Sequence, residues 1–157
     1  MEADPSPVHI EAQLGRSYMD SFGTNAGFLE ATFREYSMGQ TPFTWSPDIS
    51  TGWINGRNLA WYTRYALGTE DKIWIVAAGI RLRYGGDASY MHHFFFNFQP
   101  SLHTGRTQAL SSPYEFVSTL GWQGSRVSLQ IRHISNGSLH APNRGETMIL
   151  IGFGLNK

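Results

Sequence analysis

The sequence of 157 residues contains no cysteine, which excludes a disulfide framework and a thiolate metal site. Charge is also scarce: Asp, Glu, Lys and Arg make up 15% of the chain, and the formal net charge is zero. Typical soluble domains carry roughly 25% charged residues. A neutral chain of this kind gives no reason to expect nucleic acid or another strongly charged partner.

Long apolar runs are absent as well, because no stretch approaches 18 consecutive apolar residues. The sequence therefore predicts no membrane-spanning helix. The chain begins M-E-A-D-P-S-P, which is acidic and contains proline, unlike the basic and then apolar start of a secretory signal. If the protein is exported, we expect this chain to be the mature form with an added Met1. We expect one domain over 1–157, with a flexible N-terminal segment at 1–7.

The composition favours short strands and turns, since aromatic residues make up 14% of the chain and glycines number 17. Strict alternation of apolar and polar residues predicts eight strands, and no window shows a helical period. Each is about ten residues long, which suits a tilted strand that crosses a bilayer. The predicted strands are 8–19, 26–36, 56–68, 72–84, 91–100, 114–123, 126–135 and 147–155.

The two faces of these strands differ in kind, although the last strand is apolar or small on both faces and its orientation stays open. The apolar face is large and aromatic, whereas the polar face carries long charged residues of both signs. Alternation alone fits either a soluble barrel, which buries its apolar face, or a membrane barrel, which turns that face to lipid. Charges of both signs suit a salt-bridged lumen, so we predict an all-β fold, an eight-stranded antiparallel transmembrane β-barrel. The charged residues of the polar face are Glu11, Glu30, Arg34, Arg64, Arg81, Arg83, Glu115, Arg126 and Arg132.

The predicted connections differ in length. Gly124-Ser125 and residues 68–71 are expected to be short turns, and residues 101–113 and 136–146 are longer loops. Segment 37–55 contains two prolines and would be a connection on the periplasmic side. It is longer than periplasmic turns usually are.

The predicted strand 126–135 ends in a reactive pair. Its apolar stripe includes Leu129 and Ile131, and the same parity places His133 and Ser135 on that face. Residues two apart on a strand have Cα atoms roughly 6.5–7 Å apart, so their side chains can reach hydrogen-bond distance. Histidine can then take the serine proton and make the hydroxyl a nucleophile. An arbitrary pair of this kind is, by default, two surface polar residues.

The pair belongs to a longer motif, H-x-S-N-G-x-L-x-x-P-N-x-G, which runs from His133 to Gly145. This motif resembles the active-site segment of the outer-membrane lipid A 3-O-deacylase (acyloxyacyl hydrolase) family. The segment 100–116, P-S-L-H-T-G-R-T-Q-A-L-S-S-P-Y-E-F, is also similar to that family. Together the two segments cover about a third of the chain.

The resemblance implies a role for each site residue: Ser135 is the nucleophile, His133 the base, and an acid lies downstream. We take Glu146 as that acid, although the family pattern leaves at least one residue between the loop glycine and the acid. Here Glu146 follows Gly145 directly, and Thr147 has the offset position. A dyad without a carboxylate is the alternative. The expected oxyanion and substrate-binding residues are Asn136, Gly137, Ser138 and Asn143.

The resemblance also implies a function, a substrate and a location. We expect a serine esterase of the bacterial outer membrane that removes the 3-position acyl chain of lipid A at the outer leaflet, without a metal or cofactor. Its expected partners are lipid A and membrane lipids, and the loop residues Arg106 and Arg144 are candidates for contacts with lipid A phosphates. Two alternatives stay open. One is a non-catalytic outer-membrane barrel, either structural or an adhesin, and the other is a soluble ligand-binding barrel of lipocalin type.

Overall fold

The computed structural model describes residues 7–58, 68–85 and 89–156, so most of the N-terminal segment 1–7 lies outside the described residues. Within these ranges the chain forms nine strands and one short 3-10 helix, Tyr90–His93. No helix in the described ranges is long and apolar enough to cross a membrane. The strands are β1 (His9–Met19), β2 (Phe22–Thr32), β3 (Tyr36–Ser37), β4 (Phe43–Ile54), β5 (Ile73–Tyr84), β6 (Phe94–His103), β7 (Tyr114–Gln123), β8 (Val127–Ser135) and β9 (Glu146–Gly154).

Eight of these strands are long, and they close into an antiparallel barrel. From β4 onward each strand pairs with the next along the chain, β1 pairs with both β2 and β9, and β2 pairs with β4 to complete the circle. The short β3 pairs only with the start of β4. Closure leaves no unpaired strand edge among the eight, and it confirms the predicted eight-stranded all-β barrel.

The barrel turns its polar face inward and its apolar face outward. Inside, the buried carboxylate of Glu30 lies 3.3 Å from Arg81 and 3.1 Å from Arg132. Buried charges are tolerated when they are paired and hydrogen-bonded, as they are here. Outside, Ile131 and Ile149 are 56% and 60% exposed, which also settles the orientation of β9. This is the arrangement of a membrane barrel.

The third long strand differs from the prediction. It is β4, from Phe43 to Ile54, rather than 56–68. Residues 55–58 lie outside any strand, and 59–67, with most of the predicted strand, lie outside the described residues. Pro47 makes this strand hard to predict from sequence, because proline cannot donate a ladder hydrogen bond. Its side chain faces outward, and its carbonyl accepts a hydrogen bond from Phe33 N at 2.9 Å, so the strand is not interrupted.

An even number of long strands places both ends of the barrel chain at one rim, here called the terminal end. The opposite rim, here called the loop end, carries the connections 20–21, 104–113 and 136–145, and β4 and β5 end and begin there with the described residues 55–58 and 68–72. Two of these are the longer loops that the sequence predicts. The turn predicted at 68–71 was expected to follow a strand at 56–68, whereas β5 pairs with β4, and Ile73 lies opposite Ile54.

Candidate active site

His133 and Ser135 are the last outward-facing residues of β8. Ile134, between them, is fully buried, so the two flanking side chains share the outer surface with Ile131. In the neighbouring strands, Thr147 and Ser118 lie opposite His133, and Phe116 lies opposite Ser135. The alternation in the sequence therefore placed this pair on the correct face, at the loop end of an apolar surface.

The imidazole of His133 is held from two sides. Its Nδ1 atom lies 2.9 Å from Thr147 Oγ1. On another side Gly145, with φ +75°, passes so close that an added Cβ would lie 3.0 Å from His133 Cε1. When Nδ1–H donates to Thr147, Nε2 is the unprotonated nitrogen and can act as a base. Within the described residues, Ser135 Oγ makes no hydrogen bond to this ring, and such contacts commonly tighten only when substrate binds.

The position of Glu146 corrects the expectation that it backs the imidazole. Adjacent strand residues face opposite ways, so Thr147 points outward and Glu146 points into the barrel. There the carboxylate accepts two hydrogen bonds from Arg57, at 2.6 and 2.7 Å, and one from Ser17 Oγ at 2.5 Å. The structure therefore brings Thr147, not Glu146, to His133.

Asn136 differs from its expected role in a similar way. Its side chain is fully buried, and its Nδ2 atom donates to Ser111 Oγ at 3.3 Å, Ser112 Oγ at 3.2 Å and the carbonyl of His140 at 2.9 Å. Both amide hydrogens are thus used within the protein. Asn136 joins the two long loops and is not available as an oxyanion donor.

The other expected oxyanion donors, in Gly137, Ser138 and Asn143, keep N–H groups that are free to bind an oxyanion. The backbone N–H of Asn136 donates to Asn143 Oδ1 at 2.9 Å, which orients the amide of Asn143 and leaves its Nδ2 without a partner among the described residues. The N–H groups of Gly137 and Ser138 likewise have no hydrogen-bond acceptor within those ranges. Three N–H-bearing groups therefore lie in the loop that begins directly after Ser135.

Loop 136–145 is held in place by loop 104–113. Backbone N–H groups of Arg144 and Gly145 donate to the carbonyls of Gln108 and Ala109, both at 2.9 Å, and Ser111 Oγ bonds to both Asn143 N and His140 O. No local pattern in the sequence predicts this role for Ser111, although it lies in the segment 100–116 that resembles the deacylase family.

The two loop arginines are part of the same structure. Arg144 pairs with Asp20 at 2.5 Å, and Arg106 donates to the carbonyl of Ser111. Both guanidinium groups are therefore engaged by the protein itself. Arg57, which the sequence did not mark, secures the loop end through its bonds to Glu146 and to the carbonyls of Phe22 and Ser17.

An apolar groove of about 490 Å³ crosses the outer wall next to Ser135. Phe116, directly opposite Ser135, forms one end of it, and Pro100 lies opposite Phe116 in the next strand. The other lining side chains on the outer wall include Val76, Ala78, Leu102 and Tyr114. A base, a hydroxyl, nearby N–H donors and an apolar groove are what acyl transfer from a long-chain ester needs. In the described ranges, no group of three or more His, Asp or Glu residues is arranged to hold a metal ion.

Comparison with known proteins agrees with the motif and with the fold. The family model described as "Lipid A 3-O-deacylase (PagL)" matches residues 21–156, which include the whole site. A solved structure, "Crystal structure of the outer membrane enzyme PagL", superposes with a TM-score of 0.61 at 14% sequence identity. The match covers 95% of this chain and 99% of that one, and it shows a shared fold. No curated protein sequence matches the chain.

Proposed function

The chain belongs to the lipid A 3-O-deacylase (PagL) family of outer-membrane β-barrel hydrolases, and from this premise we propose that it cleaves the 3-position acyl ester of lipid A with Ser135 as nucleophile and His133 as base. The observation that carries this proposal is the position of the pair. Both side chains lie on the outer wall of the barrel, where its apolar surface meets the loop end. A substrate embedded in the membrane can reach them without entering the lumen.

The reaction proceeds in two halves. Ser135 Oγ attacks the ester carbonyl carbon while His133 Nε2 takes its proton, and the carbonyl oxygen becomes an oxyanion. Asn143 Nδ2 and the N–H groups of Gly137 and Ser138 are the available donors to that oxyanion. The bond to the sugar oxygen then breaks, and His133 returns the proton to this leaving group. In the second half, water attacks the acyl carbonyl while His133 takes its proton, the bond from the acyl carbon to Ser135 Oγ breaks, and His133 returns the proton to Ser135 Oγ as the fatty acid leaves.

Thr147 orients the base in this scheme. We assign its hydroxyl as the acceptor of the Nδ1–H of His133, an arrangement that leaves Nε2 unprotonated. A neutral hydroxyl supplies no negative charge to stabilise the imidazolium that forms during attack. We therefore assign a Ser-His dyad with an orienting threonine, rather than a triad with Glu146.

The groove beside Ser135 accounts for the acyl half of the substrate. Its lining is apolar, and it begins at Phe116, opposite the nucleophile. An acyl chain in this groove keeps its contact with apolar surface while its ester lies at Ser135. The sugar then lies towards the loops, where polar groups are available.

The activity can be tested with purified protein and lipid A in detergent micelles. We expect release of one hydroxyacyl fatty acid per lipid A, and we expect a metal chelator to leave the rate unchanged because His133 carries every proton transfer. Mass spectrometry of the lipid and of the free fatty acid measures both. A folded barrel that releases no fatty acid would refute the proposal.

The orientation of the barrel in the membrane can be tested by cysteine labelling. The sequence contains no cysteine, so an introduced cysteine is the only thiol of the protein that can react. We propose that the loop end faces the cell exterior, so that the site lies at the outer leaflet. A Ser138→Cys variant, in an exposed loop-end position, should react with a membrane-impermeant maleimide on intact cells. The matched Ser125→Cys variant, in the exposed turn at the terminal end, should react only after the cells are opened. The reverse pattern would contradict the orientation.

A substitution at Glu146 tests whether this residue has a structural or a catalytic role. Glu146→Gln removes the charge that Arg57 faces, and an unpaired buried charge typically costs about 3–5 kcal/mol. We expect the barrel to lose its compact gel migration at a lower temperature than wild type. The kcat of the protein that remains folded should stay within about threefold of wild type. A loss of activity of about a thousandfold at full stability would instead make Glu146 a catalytic residue.

A further inference from the structure

Arg16 is a charged residue on the outer, apolar face of β1. Its neighbours on that face are Leu14 and Tyr18, which are 56% and 40% exposed. A cation on the lipid-facing wall of a barrel is unfavourable by an amount that depends on depth and becomes small only near the membrane interface. Arg16 therefore needs an explanation that the fold alone does not supply.

The guanidinium of Arg16 extends towards the loop end. Its Nη1 donates to Asn25 Oδ1 at 2.7 Å, and Asn25 lies opposite Arg16 in β2. A Cβ on Gly23, two residues nearer the loop end, would lie 2.8 Å from Arg16 Nη2 and 2.9 Å from the ring of Tyr18. The missing side chain of Gly23 thus leaves the space in which the guanidinium lies.

This position is at the rim of the barrel. The carbonyl of Asn25 accepts a hydrogen bond from the backbone N–H of Asn55 at 3.0 Å, and Asn55 directly follows the end of β4. Among the residues that the structure describes, no carboxylate pairs with Arg16, and its Nε and Nη2 groups have no hydrogen-bond acceptor. The guanidinium therefore presents free donors close to the loop end.

The same surface carries the reactive pair. Tyr18, beside the guanidinium, lies opposite Thr147 in β9, and Thr147 lies opposite His133 in β8. Tyr18 and His133 are two strands apart, so the distance between their backbones is about 10 Å. Arg16 lies on the β1 side of the pair, whereas the apolar groove lies on the side of β7, β6 and β5.

We propose that Arg16, with Asn25 and Tyr18 beside it, forms a subsite for a phosphate monoester on the headgroup of the glycolipid substrate; this inference rests on the proposed function. A guanidinium matches a phosphate group with two parallel charge-assisted hydrogen bonds. Arg106 and Arg144 are already engaged by protein partners. On β9 and β1, Arg16 is the cation nearest the His133 and Ser135 pair, and its Nε and Nη2 groups have no acceptor among the described residues. A phosphate bound at β1 and an acyl chain bound in the groove towards β5 would hold the ester between them, at Ser135.

The test compares two substrates and two variants. The substrates are phosphorylated lipid A and the same lipid A after its phosphates have been removed. The variants are Arg16→Gln and, as a matched control, Arg34→Gln, because Arg34 is also exposed but lies at the terminal end over the ring of Tyr36. For the phosphorylated lipid, Arg16→Gln should raise KM about tenfold with little change in kcat. For the dephosphorylated lipid it should match wild type, and Arg34→Gln should match wild type on both.

Gly23→Ala supplies a second route to the same result. Its added methyl displaces the guanidinium without removing the charge, so KM for phosphorylated lipid A should rise while KM for the dephosphorylated lipid stays constant. An equal loss on both lipids in Arg16→Gln would show a role in barrel structure or anchoring and would overturn the subsite. No loss on either lipid would overturn it as well.

A binding measurement separates this inference from the proposed function. In the Ser135→Ala background, we expect Arg16→Gln to weaken binding of phosphorylated lipid A about tenfold and to leave binding of the dephosphorylated lipid unchanged. Phosphate-dependent binding by a wild-type protein that cleaves neither lipid would support the subsite and refute the deacylase. Cleavage of both lipids at equal rates, with Arg16→Gln indistinguishable from wild type, would support the deacylase and refute the subsite.

Discussion

Ser135→Ala is expected to lower the rate of lipid A deacylation by at least about a thousandfold while the barrel still folds and binds lipid. The hydroxyl lies on the outer wall, so its loss opens no cavity in the core and breaks no hydrogen bond to His133. What disappears is the atom that forms the acyl intermediate. Fatty-acid release, followed by mass spectrometry, measures the loss, and heat-dependent gel migration reports the fold.

Ser118→Ala is the matched control for this substitution. Ser118 lies opposite His133 in β7, on the side of the ring away from Thr147, and it is also partly exposed on the outer wall. We expect this variant to keep activity within about twofold of wild type. A serine-directed ester probe should label wild type and Ser118→Ala but not Ser135→Ala. Loss of activity and labelling in Ser118→Ala alone would assign the nucleophile to Ser118.

Thr147→Glu is expected to raise kcat, by about tenfold to a hundredfold. In Ser-His-Asp enzymes, replacing the acid with a neutral residue costs about 10⁴ in kcat, which sets the upper limit of the gain. Thr147 points outward and already bonds to His133 Nδ1, so a carboxylate there can stabilise the imidazolium. Initial rates of deacylation measure the effect.

Thr147→Gln separates charge from size in that experiment. Glutamine has nearly the shape of glutamate but no charge, so we expect no gain in kcat. Thr147→Val, which removes the hydroxyl, should lower kcat about tenfold because the His133 ring loses the hydrogen bond that orients it. Equal rates for the Glu and Gln variants would show that no imidazolium is stabilised from this side, and would contradict the assigned role of His133.

Most of the barrel was predictable from alternation, and the exception has a physical reason. Strands such as β6 alternate large aromatic residues with buried amides, as in Phe96 and Asn97. In β4 the inward residues are small and polar, including Ser46 and Ser50, and Pro47 interrupts the pattern. Small polar residues that face a lumen resemble those of a loop, so the sequence predicts a connection over 37–55 where the structure has β4.

Within the candidate site, the sequence predicts only what depends on one strand. The parity of β8 places His133 and Ser135 on the same outer face. The choice between Glu146 and Thr147 depended on which way β9 faces, and its inward residues, such as Leu150, are as apolar as its outward ones.

Long-range partners account for the remaining differences. Arg57 is 89 residues from Glu146, and the serines that hold Asn136 are 24 and 25 residues away from it. No local pattern in the sequence shows that these groups meet, because the barrel closes only through pairings between distant strands. The roles of Glu146 and Asn136 therefore became visible only with the loop-end contacts.

The most direct measurement is the mass spectrum of lipid A from cells that express the wild-type protein, with insertion of the folded barrel verified in the same membranes. If the outward-facing histidine and serine form a deacylase site, the lipid A should lose the mass of one hydroxyacyl chain, and the chain lost should be the ester at position 3. Lipid A of unchanged mass, beside a fully inserted and folded barrel, would contradict that claim.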